Sequence, residues 1–169
     1  MKNQFDTLFL DRDGVINVKI DNEYIVKYSD FEFIPGVLSA IQKLSSIFNR
    51  IIIITNQQGI GKKLMTEQDL GCLHEMMLVD IEQVGGKIDK IYYCPHLASE
   101  NCECRKPRSG MIIQAIKDFS DINIESSYLI GDSDSDIEAG KQEHLHTVKV
   151  DNEYTLAKWC EELLSVIEE

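Results

Sequence analysis

Residues Thr7–Asn17 read "TLFLDRDGVIN". Four residues suited to a strand give way at once to two acids, an arginine and a glycine. So short an apolar run reads as one buried strand, and the polar break marks where the chain leaves a sheet. The same arrangement recurs three times. "IIIIT" (Ile51–Thr55) runs into "NQQG", "IDKIYY" (Ile88–Tyr93) into a loop crowded with cysteines, and "SYLIG" (Ser127–Gly131) into "DSDSD". A fifth run, "HTVKV" (His146–Val150), follows later.

Between these runs, apolar residues repeat at helical spacing. Val37, Ile41, Leu44 and Phe48 share one face, as do Leu70, Leu73, Met77, Ile81 and Val84. Ile112, Ile116 and Phe119 form a third stripe, and Leu156, Trp159, Leu163 and Val166 a fourth. Thr66 and Asp69 give a helix-start signal ahead of the second stripe. Strand and helix in alternation predict an α/β fold: a Rossmann-like three-layer α/β/α sandwich around a mostly parallel sheet. Ligands of such sheets bind beyond the carboxyl ends of the strands. Four polar clusters, each following a strand, therefore predict one composite site.

The 169 residues suit one domain spanning 1–169. A net charge of −12 and a pI of 4.7 argue against nucleic-acid and membrane partners, which require basic surface. A small phosphorylated substrate is compatible, because a metal and a few fixed cations reverse the local field. The start "MKNQFDTLFLDRDG" lacks the character of a signal peptide, and no apolar run matches a membrane span, so a cytoplasmic monomer is expected. In that compartment, Cys72 and Cys160 read as small buried hydrophobes within helical patterns.

In "DRDG", residues two apart lean the same way, so Asp11 and Asp13 form a carboxylate pair that can divide nucleophilic from acid–base work. Thr55, Asn56 and the glycine-rich main chain after them suit an oxyanion, although the spacing of a nucleotide P-loop is absent. Asp132 sits at a strand end as a hard-metal ligand, and Asp136, one helical turn on, orients its neighbours. The acids Asp132, Asp134, Asp136 and Glu143 imitate a calcium loop, but Ile137 stands where that loop needs glycine. Cys94, His96, Cys102 and Cys104 have the spacing C-x-H-x5-C-x-C, a complete tetrahedral set for structural Zn2+ that would staple their loop. Arg105 and Lys106 follow directly, two cations able to hold a phosphoryl group. Arg108 reads as a solvated basic turn. His74, His144 and His146 have no evident partner and read as surface or packing residues.

Together, "FLDRDGVIN", "TNQQGIG", "CPH…CxCRKP" and "GDSDSDIEAG" resemble the haloacid dehalogenase (HAD) superfamily of phosphatases, in its zinc-containing branch. The resemblance spans nearly the whole chain and implies a Mg2+-dependent phosphomonoester hydrolase with no cap domain. It implies that Asp11 becomes an aspartyl phosphate, with Asp13 as general acid and base. Mg2+ would be held by Asp11, the main chain of Asp13 and Asp132. Thr55 and Lys106 would stabilise the phosphoryl group. Arg12, Tyr24, Asn56, Gln57 and Arg105 would bind substrate. The branch acts on D-glycero-D-manno-heptose 1,7-bisphosphate, which "EYIVKYSDFEFIPGV" favours, or on histidinol phosphate, which the compact loop His96–Cys102 favours. The heptose reading leads. Readings from other classes are a phospho-acceptor that does not turn over and a zinc-stabilised binding module.

Overall fold

The computed structural model describes residues 3–168. Its first strand, β1 (Phe5–Leu10), is the centre of a five-stranded sheet. The remaining strands are β2 (Phe48–Asn56), β3 (Lys90–Cys94), β4 (Tyr128–Gly131) and β5 (His146–Lys149). Their order is β3-β2-β1-β4-β5, and every pairing is parallel. All carboxyl ends therefore lie along one edge. The chain builds one half of the sheet outward from β1 and then returns to build the other. The crevice between β1 and β4 is thus the topological switch point, where open α/β sheets bind ligands.

The helices are α1 (Val37–Ile47), a single turn α2 (Gln58–Gly61), α3 (Glu67–Gln83), α4 (Gly110–Asp118), α5 (Asp134–Gln142) and α6 (Leu156–Ile167). Strand alternation sorts side chains to the two faces of the sheet. Leu8, Leu10, Ile51 and Ile53 pack with Ile41, Leu44, Met77, Ile81 and Trp159 from α1, α3 and α6. Phe9, Ile52 and Ile54 pack on the other face with Met111, Ile112, Ala115 and Ala139 from α4 and α5. Burial of each leucine, isoleucine, phenylalanine or methionine among them stabilises the fold by about 1.5–3 kcal/mol. The three layers are those expected from the sequence.

Local details differ from the sequence reading. Phe48 does not end the stripe of α1; it caps that helix and opens β2, because strand follows helix with no intervening loop. β3 starts two residues later than expected and continues into Cys94. The helix-start signal is realised: the Thr66 hydroxyl accepts from the Asp69 N–H, and the Asp69 carboxylate accepts from the Thr66 N–H. Residues 11–36, between β1 and α1, hold one 3-10 turn, Tyr28–Asp30, and the isolated bridges of Asn17 to Asp13 and Phe33, with no cap domain. Among the described residues, no helix is long and apolar enough to cross a membrane.

Candidate active site

At the end of β1, the Asp11 N–H donates to the carbonyl of Ile130 at 3.0 Å, which sets Asp11 beside the end of β4. The turn that follows depends on Gly14. Its φ is +86°, and a Cβ there would lie 2.1 Å from Asp132 Oδ2. Only glycine lets the two strand ends approach this closely. Asp11 Oδ1 accepts from the Arg12 N–H (2.9 Å) and from Lys106 Nζ (2.9 Å). Burial pushes the Asp11 carboxyl well above its ordinary range; Lys106 opposes the shift, while Asp136 and Asp13 reinforce it.

Asp13 has a different environment. Its Oδ1 accepts from Arg12 Nη2 (2.8 Å) and Asn17 Nδ2 (2.9 Å), and its Oδ2 from Gln57 Nε2 (3.0 Å). Burial alone would raise this carboxyl, but the Arg12 guanidinium and the donors Asn17 and Gln57 outweigh it and hold it low. Two carboxylates, two residues apart, are thus pushed in opposite directions.

Lys106 is 3% exposed and sits between Asp11 and Asp136, with Nζ also donating to the carbonyl of Ile54 at 3.0 Å. Burial alone would lower its pKa; the two carboxylates more than compensate, and the ammonium is held above its ordinary range. Its main chain is clamped by Asn56, whose Oδ1 accepts from the Lys106 N–H (3.0 Å) and whose Nδ2 donates to the Lys106 carbonyl (3.2 Å). The end of β2 therefore fixes the loop after β3. Asp136 in turn is tied down by Lys106 and by the reciprocal cap with Ser133 that opens α5.

These groups surround one cavity of about 240 Å³, lined among others by Asp11, Asp13, Asn56, Gln57, Arg105, Lys106, Asp132 and Asp136. The segments after β1, β2, β3 and β4 all reach it, the third through Arg105 and Lys106 and not through its cysteines. The carboxylates of Asp11, Asp132 and Asp136 lie within 4.8 Å of one another. Asp132 Oδ1 is buried without a hydrogen-bond partner among the described residues, an orphaned acceptor suited to a hard cation. Arg105 lines the same cavity, and its Nη1 is likewise buried and unpartnered, as a waiting anion site would leave it.

At the end of β3 and in the loop after it, Cys94 Sγ, His96 Nδ1, Cys102 Sγ and Cys104 Sγ also fall within 4.8 Å of one another. His96 Nδ1 lies 3.4 Å from Cys94 Sγ and 3.1 Å from Cys104 Sγ, and all three cysteines are free. Burial raises the Cys94 thiol, whereas N–H donors near Cys102 overcome its burial and hold it at about 7, close to the thiolate form a metal takes. The set could hold one metal ion.

Several predicted residues are placed otherwise than expected. Arg12 does not reach the cavity as a substrate contact: it is 0% exposed, ion-paired to Asp13, with Nη1 donating to His74 Nε2 at 3.1 Å. Thr55 is buried beneath Gln57, whose amide donates to its hydroxyl at 2.9 Å, and it does not line the cavity. Tyr24 does line it, with its hydroxyl accepting from Gln58 and its ring beneath Lys62. His74 is neither a surface nor a simple packing residue; burial, then Arg12, depress its pKa to about 3. Cys72 is exposed, not buried, while Cys160 is buried as expected. Arg108 lies at the surface with Glu103, as expected.

The sequence assigns no individual role to Asn17, Lys19, Glu23 or Ser133, although the resemblance implies that the segment after Asn17 shapes the pocket. Asn17 holds Asp13, Lys19 lies 3.5 Å from Asp132, Glu23 lines the cavity, and Ser133 caps α5. Only Ser133 had a local signal, the S-x-x-D cap spacing.

Residues 6–160 match the family described as polynucleotide kinase 3 phosphatase. A D-glycero-alpha-D-manno-heptose-1,7-bisphosphate 7-phosphatase of Campylobacter jejuni is 44% identical over 146 residues, covering 86% of this chain and 82% of that protein. A D-glycero-beta-D-manno-heptose-1,7-bisphosphate 7-phosphatase of Helicobacter pylori is 40% identical over 139 residues, covering 82% and 79%. The crystal structure of D,D-heptose 1,7-bisphosphate phosphatase from B. bronchiseptica, complexed with magnesium and phosphate, superposes with a TM-score of 0.87. That protein is 29% identical, and the match covers 95% of this chain and 99% of the other. The chain belongs to the polynucleotide kinase 3 phosphatase family of the HAD superfamily, on the branch of the heptose-1,7-bisphosphate 7-phosphatases.

Proposed function

We propose that this phosphatase removes the C7 phosphate of D-glycero-D-manno-heptose 1,7-bisphosphate through an aspartyl phosphate on Asp11. The observation that carries the reading is the convergence of Asp11, Asp13, Lys106 and Asp132 on one cavity, in a chain whose relatives bear that activity in their names. Asp11 attacks phosphorus while Asp13 gives its proton to the departing sugar oxygen. Asp13 then takes a proton from water, which attacks the phosphorus of the aspartyl phosphate and releases phosphate and Asp11. The incoming phosphoryl dianion, close to Asp13, raises that carboxyl against the pull of Arg12, so that it can carry the proton it must donate. Lys106 and Arg105 hold the phosphoryl oxygens and the substrate.

Asp11, Asp132 and the main chain of Asp13 would hold Mg2+, which when bound offsets the charge of the phosphoryl oxygens. Cys94, His96, Cys102 and Cys104 would hold Zn2+ as a structural clasp, keeping the following residues, Arg105 and Lys106, over the aspartate pair. A cytoplasmic location goes with five free cysteines, and one domain spanning 1–169 with a sheet that draws strands from the whole length.

The test is kcat/KM for the alpha and beta anomers of the heptose bisphosphate beside histidinol phosphate. One heptose anomer should be preferred over histidinol phosphate by about 100-fold or more. A preference for histidinol phosphate overturns the substrate assignment, and an Asp11→Asn variant that retains turnover overturns the mechanism.

A further inference from the structure

We infer that Arg12 and His74 form a buried device that positions the carboxyl group of Asp13 and leaves its Oδ2 as the oxygen that exchanges the proton; this rests on the acid–base role proposed for Asp13. Arg12 is one of the largest fully buried side chains of the protein, set directly between the two aspartates. Its Nη2 donates to Asp13 Oδ1 at 2.8 Å, its Nη1 donates to His74 Nε2 at 3.1 Å, and its Cζ lies 5.9 Å from the Phe31 ring centroid. The guanidinium is thereby held from three directions. An arginine only donates, so His74 must accept at Nε2, as a neutral ring protonated on Nδ1. His74 lies on α3, a helix tied to the segment after β1 here and through the hydrogen bond from the Tyr28 hydroxyl to Asp80.

The distribution of bonds on Asp13 is unequal. Among the described residues, Oδ1 takes two donors, Arg12 and Asn17, whereas Oδ2 takes only Gln57, which itself lines the cavity. An oxygen already accepting a charged and a neutral N–H is a poor place for a proton. The proton therefore resides on Oδ2, passes from it to the leaving alkoxide, and leaves Asp13 ionised. Neither Arg12 nor His74 touches the substrate in this scheme. Losing either loosens the acid without weakening binding.

The test compares kcat/KM on the heptose bisphosphate with kcat/KM on p-nitrophenyl phosphate. Both report steps up to formation of the aspartyl phosphate, but nitrophenolate leaves without protonation. His74→Leu removes the acceptor, and Arg12→Lys removes the fork. In both, kcat/KM on the heptose bisphosphate should fall on the order of 10–100-fold through kcat, with KM little changed, while that on the aryl phosphate falls less than about threefold. His74→Gln, which restores an acceptor, should recover most of the loss. The ratio of the two values is independent of the fraction of enzyme folded, so a poorly folding variant still reports. Equal losses on both substrates, or a loss carried by KM, overturn the inference. Asp13→Asn run alongside keeps the two claims apart: if it also lacks the selective loss, the acid–base reading of Asp13 fails first.

Discussion

Replacing Lys106 by methionine would remove one charge and almost no volume. The side chain is nearly sealed from solvent, and Nζ serves Asp11, Asp136 and the carbonyl of Ile54. Removing one member of a buried ion pair costs about 3–5 kcal/mol, because the partner is left charged and unsolvated. Here two carboxylates and a carbonyl lose their donor together, which places the expected loss near the upper end, about 4–5 kcal/mol. The loss should also depend on pH. Without the ammonium, burial and mutual repulsion both push the folded-state pKa values of Asp11 and Asp136 up. A carboxyl raised above its unfolded value contributes stability that is present at low pH and lost as pH climbs through the folded value. The deficit of Lys106→Met relative to wild type is therefore largest at neutral pH and narrows in acid. Urea unfolding of both proteins in EDTA, at about pH 5 and about pH 8, measures it. A deficit below about 1 kcal/mol, or the same deficit at both pH values, would refute the view of Lys106 as the counter-ion of this site.

Three further outcomes follow from the same structure. His74, held neutral with its pKa near 3, contributes stability above its unfolded pKa and loses it on acidification; at about pH 5 the cost is about 2 kcal/mol. His74→Gln should flatten the difference in unfolding free energy between pH 5 and pH 7.5 by roughly that amount. Gly14→Ala forces a side chain into left-handed backbone and against Asp132, so stability should fall by at least about 1–2 kcal/mol and Mg2+ affinity, read by calorimetry, should weaken. Protein purified without chelator should carry about one zinc per chain by metal analysis, and Cys102→Ser should lower both the zinc content and Tm.

The sheet was legible because its central strands are buried on both faces. Phe9 and Ile52 turn one way and Leu8 and Ile51 the other, so β1 and β2 read as unbroken apolar runs. The convergence of the site was legible for a related reason. Parallel strands bring every carboxyl end to one edge, whatever lies between them. Arg12 was not legible in this way. Alternation along "DRD" says that it leaves the side taken by Asp11 and Asp13, but nothing local announces an acceptor on α3, 62 residues away. The clamp by Asn56 on Lys106 is equally long-range, spanning 50 residues. Cys72 shows the opposite failure: its helical surroundings suggested burial, yet it projects from the outer side of α3.

The most direct test of the mechanism is to trap the intermediate. Enzyme turning over substrate with Mg2+ is quenched with borohydride, which reduces an acyl phosphate to the alcohol, and the peptide carrying Asp11 is analysed by mass spectrometry. The account predicts homoserine at position 11, dependent on substrate and absent from position 13. Reduction at another carboxylate, or none at all while a burst of sugar release is observed, would contradict it.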